Sequence, residues 1–178
     1  MKKILLTTTL AALACSSSLT WAAASGEGQV NFTGEILDAA CEVVNSQSSP
    51  LAVDLGKVSK TAFTGVGSTT NITSFFLQLK NCPASVTTAS IKFAGDADSN
   101  NASVLALTGD TGKASGVGIQ LVDADGTPLD LYTASADYAL QTGTATNNLE
   151  FGARYIQTGA AVTAGTANGS STFTVTYN

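Results

Sequence analysis

The chain has 178 residues, 44% of them hydrophobic and only 12% charged, a balance that builds one packed domain and excludes a disordered tail. Net charge is −5; setting aside Lys2 and Lys3 of the leader described next leaves six basic residues against 13 acidic ones, −7, which excludes the basic patches that nucleic acid or anionic membranes require. There is no His, so the usual serine and cysteine triads are excluded and a structural zinc site is disfavoured.

In chain order, Lys2-Lys3 is a basic start, Ile4 to Leu19 is mostly apolar, and Trp21-Ala22-Ala23-Ala24 supplies small residues for cleavage after position 22, 23 or 24. This reads as a secretion signal, residues 1–23. Two rival readings fit less well. A membrane anchor is opposed by the Ser16-Ser17-Ser18 interruption and the short apolar run. Lipoprotein processing at Cys15 is opposed by the absence of a leucine three residues before it. Export removes Cys15 and leaves Cys41 and Cys82 in an oxidising compartment, where an even pair bonds. Such a bond closes a loop of about 40 residues, worth roughly 4 kcal/mol on the chain-entropy account.

Residues 24–34 alternate as a strand does: Ala24, Gly26, Gly28, Val30, Phe32 and Gly34 share one face, Ser25 to Thr33 the other. The strand continues to Leu37. After cleavage its front half is a free end, able to pair with its own domain or with another molecule. Further strands are predicted at Leu51–Gly56, Ile72–Lys80, Ala89–Ala94, Gly116–Val122, Leu129–Tyr132, Leu149–Tyr155 and Thr172–Tyr177, with polar Gly-, Ser-, Thr- and Asn-rich loops between them. Residues 159–171 read as a crossing between two sandwich edges. No helical period and no repeat is present. The fold class is therefore an all-β, antiparallel, immunoglobulin-like sandwich, with a closed barrel as the rival.

Candidate chemistry is sparse. Asp123-Ala124-Asp125-Gly126 opens like a calcium loop, but Thr127, Pro128 and Ala134 occupy the fifth, sixth and twelfth positions, so a hairpin turn is the reading. Glu35, Asp38 and Glu42 show no spacing that singles out an acid–base pair. The sequons at Asn31, Asn71, Asn101 and Asn168 read as chance in a Thr- and Asn-rich chain. No cofactor, metal or enzymatic activity is expected.

The order of Gly28-Gln29-Val30-Asn31-Phe32-Thr33-Gly34-Glu35, Asp38-Ala39-Ala40-Cys41, Val53-Asp54-Leu55-Gly56, Phe76-Leu77-Gln78-Leu79-Lys80-Asn81-Cys82, Val117–Leu121, Ala153-Arg154-Tyr155 and Phe173–Asn178 resembles the major subunits of bacterial chaperone–usher pili, the type 1 and P fimbrial family. The resemblance spans essentially the whole chain. It implies an incomplete sandwich, residues 35–178, lacking its last strand and completed by a donor strand. A periplasmic chaperone fills the groove first, and residues 24–34 of the next subunit replace it. It implies Phe32, Val30, Gly28, Gly26 and Ala24 as successive groove-facing donor residues, with Gly26 at a shallow point and Ala24 at the entry end. Gly165, fourteenth from the C-terminus, and the penultimate Tyr177 match the family's subunit-recognition ends. Phe173, Val175 and Tyr177 would line the groove edge. The implied partners are neighbouring pilin subunits in a homopolymer, the chaperone and an outer-membrane usher. The implied path is through the periplasm to a surface fimbrium that serves adhesion. Within the family a minor adaptor or terminator pilin is the alternative. From another class, it is a stand-alone carbohydrate-binding sandwich, which the loss of Trp21 with the leader disfavours.

Overall fold

The computed structural model describes residues 29–34, 36, 40–109 and 111–178. It divides into two units, Met1–Ile36 and Leu37–Asn178. In the first, residues 29–34 and 36 form no regular secondary structure. The Gln29 amide donates to Asn31 Oδ1 at 2.8 Å, and Val30, Phe32 and Ile36 are exposed. The strand predicted over Val30–Leu37 is thus not formed among the described residues. Alternation supplies a face, but a strand also needs a ladder partner to satisfy its main chain. Ala24, Gly26, Gly28, Glu35 and Asp38 lie outside the described residues.

The second unit contains β1 (Glu42–Val43), β2 (Thr73–Lys80), β3 (Thr88–Ala94), β4 (Val117–Asp123), β5 (Pro128–Leu129), β6 (Tyr138–Ala139), β7 (Asn147–Gln157) and β8 (Thr172–Tyr177). They form two antiparallel sheets, ordered β1-β2-β7-β4-β5 and β6-β3-β8. Two sheets with separate edges make a sandwich, not the rival barrel. Alternation places the core. In the larger sheet Phe75 opposes Phe151, Leu77 opposes Leu149, and Ile119 opposes Tyr155. In the smaller one Ala89, Ile91 and Phe93 oppose Tyr177, Val175 and Phe173. Phe93 meets Phe151 edge-on across the two sheets, centroids 5.1 Å apart, and Phe75 and Phe173 flank Phe93 at 6.4 and 6.3 Å.

The hairpin at Asp125-Gly126 is present. Asp123 N–H donates to the Thr127 carbonyl at 2.9 Å, and Asp125 Oδ1 accepts from Thr127 N–H at 2.9 Å. Gly126 sits at φ +84°, where a side chain would be strained. The return strand is shorter than predicted. Only Pro128–Leu129 pair with β4, because Tyr132, at φ +64°, turns the chain away and donates its N–H to Phe93 of the other sheet. That change of sheet then creates β6, which sequence reading missed along with the two-residue β1. Leu51–Gly56 is not a strand: its alternation survives as half-buried Val53 and Leu55, but no partner pairs its main chain. Residues 158–171 do cross between the sheets, leaving from the central strand β7 and not from an edge.

Candidate functional site

The strand β8 has a neighbour on one side only. Asn178 and Thr88 exchange both main-chain hydrogen bonds, at 3.0 and 3.1 Å. Antiparallel pairs alternate, so Thr176, Thr174 and Thr172 also point their N–H and C=O groups at β3. Phe173, Val175 and Tyr177 must then point theirs the other way. The opposite side of β3 agrees: Ser135 N–H donates to the Ile91 carbonyl at 2.8 Å, and Ile91 N–H donates to Ser135 Oγ at 2.9 Å. Six main-chain groups of β8 therefore face an edge with no ladder partner among the described residues. The same three residues turn their side chains toward the core, where they stay half-buried while the threonines between them are exposed. One short strand thus presents an apolar face and an unpaired main chain together.

A second segment carries the complementary deficit. Residues 50–58 make no main-chain-to-main-chain hydrogen bond among the described residues, and only the Gly56 N–H is met locally, by Asp54 Oδ1 at 2.8 Å. Within this segment Leu55 packs half-buried against the core, and the β7–β8 region carries three further features. At one end the Tyr177 hydroxyl reaches the Cys41 carbonyl at 3.4 Å, and burial raises the phenol's pKa. Further along, Tyr155 donates to the Ala167 carbonyl at 2.8 Å; its pKa is raised by burial and, secondarily, by the nearby Asp54 carboxylate. At the far end Lys60, Phe63, Gln157, Ala160 and Val162 line a cavity of about 320 Å³. Phe63 and Val162 are half-buried against the core. Sequence reading did not single out Phe63, Val162 or Gln157; isolated apolar and amide residues in loops carry no period.

Cys41 and Cys82 are disulfide-bonded. The bond ties the start of the second unit to the end of β2, and both cysteines are buried. Gly165 lies apart from β8, on the crossing segment. A Cβ there would come 2.4 Å from the Ala114 nitrogen and from the Lys113 carbonyl carbon. Glycine is required because the Thr166 N–H reaches the Gly112 carbonyl at 2.9 Å and the Ala114 N–H reaches the Thr166 carbonyl at 2.8 Å, bringing two main chains together. The structure brings Phe173, Val175 and Tyr177 to one open edge, and Val30 and Phe32 stand exposed in the other unit.

A sandwich with an open strand edge beside a half-buried apolar face presents a template for main-chain pairing with another segment. The fimbrial protein family model matches residues 30–178. The type-1 fimbrial protein A chain of Salmonella typhi is 38% identical over 99% of this chain and 100% of its own length. The crystal structure of a Burkholderia pseudomallei antigen and type I fimbria protein is 42% identical over 84% of this chain and 97% of that one, with a TM-score of 0.59. A subunit from a chaperone–usher pilus structure that addresses rod uncoiling is 26% identical over 86% and 97% of the two chains, with a TM-score of 0.61. The chain belongs to the fimbrial protein family: it is a structural pilus subunit and not an enzyme.

Proposed function

We propose that this subunit polymerises by donor-strand exchange as the major, homopolymeric component of an adhesive surface pilus. The carrying observation is the β8 edge, with six outward main-chain groups beside Phe173, Val175 and Tyr177. Residues 24–34 of the next copy supply a strand with the matching alternation. Val30 and Phe32 are exposed on one copy, and a groove on another offers them burial worth roughly 1.5–3 kcal/mol each. Ala24, Gly26 and Gly28 present small residues along the same donor face. Head-to-tail pairing of this kind does not close on itself and yields a filament.

An open apolar edge aggregates if unprotected. A periplasmic chaperone therefore fills it after the 1–23 leader is removed, and an outer-membrane usher assembles the surface fimbrium. Gly165 and Tyr177 mark the two ends at which the subunit is recognised. Expressing the full chain with its assembly partners and imaging the cells tests this reading. Filaments are expected from the intact chain. Deleting residues 24–34 is expected to leave a chaperone-bound subunit and no filament. Filaments from the deletion variant overturn the proposal.

A further inference from the structure

We infer that Asn168 is a site of spontaneous deamidation in the folded subunit. Asn168-Gly169 is the one Asn-Gly pair in the chain. In this reaction the Gly169 main-chain nitrogen attacks Asn168 Cγ, a C–N bond forms, and the Cγ–Nδ2 bond breaks. The Gly169 proton leaves with the side-chain nitrogen as ammonia. Water then opens the cyclic imide at either carbonyl, leaving aspartate or isoaspartate. The attack needs an unhindered, uncommitted nitrogen, and glycine, lacking Cβ, crowds it least.

The structure supplies those conditions at 168 and withholds them elsewhere. Residues 168–170 are exposed. Neither the Asn168 side chain nor the Gly169 N–H makes a hydrogen bond among the described residues, while the Asn168 carbonyl accepts from Thr108 N–H at 2.8 Å. By contrast, the side-chain oxygens of Asn45, Asn101, Asn147 and Asn148 all accept hydrogen bonds. Asn71 and Asn100 have no such bond among the described residues, but Ile72 and Asn101 follow them. Packing keeps the glycine in place: a Cβ at Gly169 would lie 2.5 Å from Ile119 Cδ1, a buried core residue. Core packing on one side thus maintains a reactive pair on the other. The product adds a negative charge four residues ahead of β8, and the isoaspartate form adds a methylene to the main chain there.

The test ages the folded full-length subunit, and in parallel the same chain in denaturant, in ¹⁸O-water at mildly alkaline pH. Peptide mass spectrometry follows Asn168, Asn71 and Asn100. Asn168 is expected to convert several-fold faster than the other two in the folded subunit, at a rate within a few-fold of the denatured chain, and Asn168→Gln removes the acidic isoform on isoelectric focusing. A folded-state rate at Asn168 suppressed to that of Asn71 and Asn100, with fast conversion only in denaturant, overturns the inference.

Discussion

Truncating Phe32 to alanine separates two accounts of the segment that carries it. Phe32 is 91% exposed in the subunit. Removing its ring there uncovers nothing, so the unfolding free energy of the isolated subunit is expected to stay within about 0.5 kcal/mol of the parent's, as for ordinary surface substitutions, with a correspondingly small change in melting temperature. Under the proposed donor-strand exchange the ring enters the groove of the next copy, and a buried Phe→Ala change costs about 3–5 kcal/mol. At 1.4 kcal/mol per tenfold change, the subunit–subunit equilibrium weakens by roughly two to four powers of ten. The assay is the denaturant concentration at which purified filaments dissociate, set beside the melting temperature of the monomer. A Phe32→Ala monomer that melts early while its filaments keep their midpoint refutes the reasoning, because Phe32 would then belong to its own domain.

Proline scanning of β8 reads the phase of its main chain. The Val175 N–H faces the open edge and the Thr174 N–H faces β3, so Val175→Pro should leave the β3 ladder intact yet block filament formation, while Thr174→Pro should lower monomer stability more; equal effects on both readouts would sink the assignment. Replacing Cys41 and Cys82 by serine opens a loop whose ends are 41 residues apart and should cost about 4 kcal/mol, measured by urea unfolding; no loss of stability contradicts it. Burial, aided by the Asp123 carboxylate, pushes the Tyr138 hydroxyl from 10.0 up to about 12. The folded state therefore holds this proton more tightly than the unfolded chain, so its contribution is complete below pH 10 and lost as pH rises toward 12. Tyr138→Phe should lose the hydrogen bond to the Glu150 carbonyl at neutral pH and flatten that alkaline decline; an unchanged slope in base titrations counts against it.

Much of the fold was legible because strand alternation is a local property. Thr73–Lys80, Thr88–Ala94, Val117–Asp123, Asn147–Gln157 and Thr172–Tyr177 lie within two residues of the predicted bounds. The misses share a cause. Leu51–Gly56 and Val30–Leu37 alternate equally well, yet pairing is a property of two segments, and one segment's periodicity does not reveal an absent partner. Tyr138–Ala139 failed in the opposite sense: two residues carry no period, and only the left-handed turn at Tyr132 brings that stretch alongside β3. At the candidate site, Phe173, Val175 and Tyr177 were readable from their alternation and the family resemblance. Gly165 carried no local signal of the main chain packed against it.

By itself the sequence determined the all-β class, the cysteine pair, the inward-facing residues of each long strand and the family, because each is carried by residue type, spacing or order along the chain. Tertiary structure alone decided which strand lies at an edge and which way its hydrogen-bonding groups point. Alternation tells two faces of a strand apart, but its two edges carry the same main chain. Only the position of β3 shows that the edge left open is the one formed by Phe173, Val175 and Tyr177.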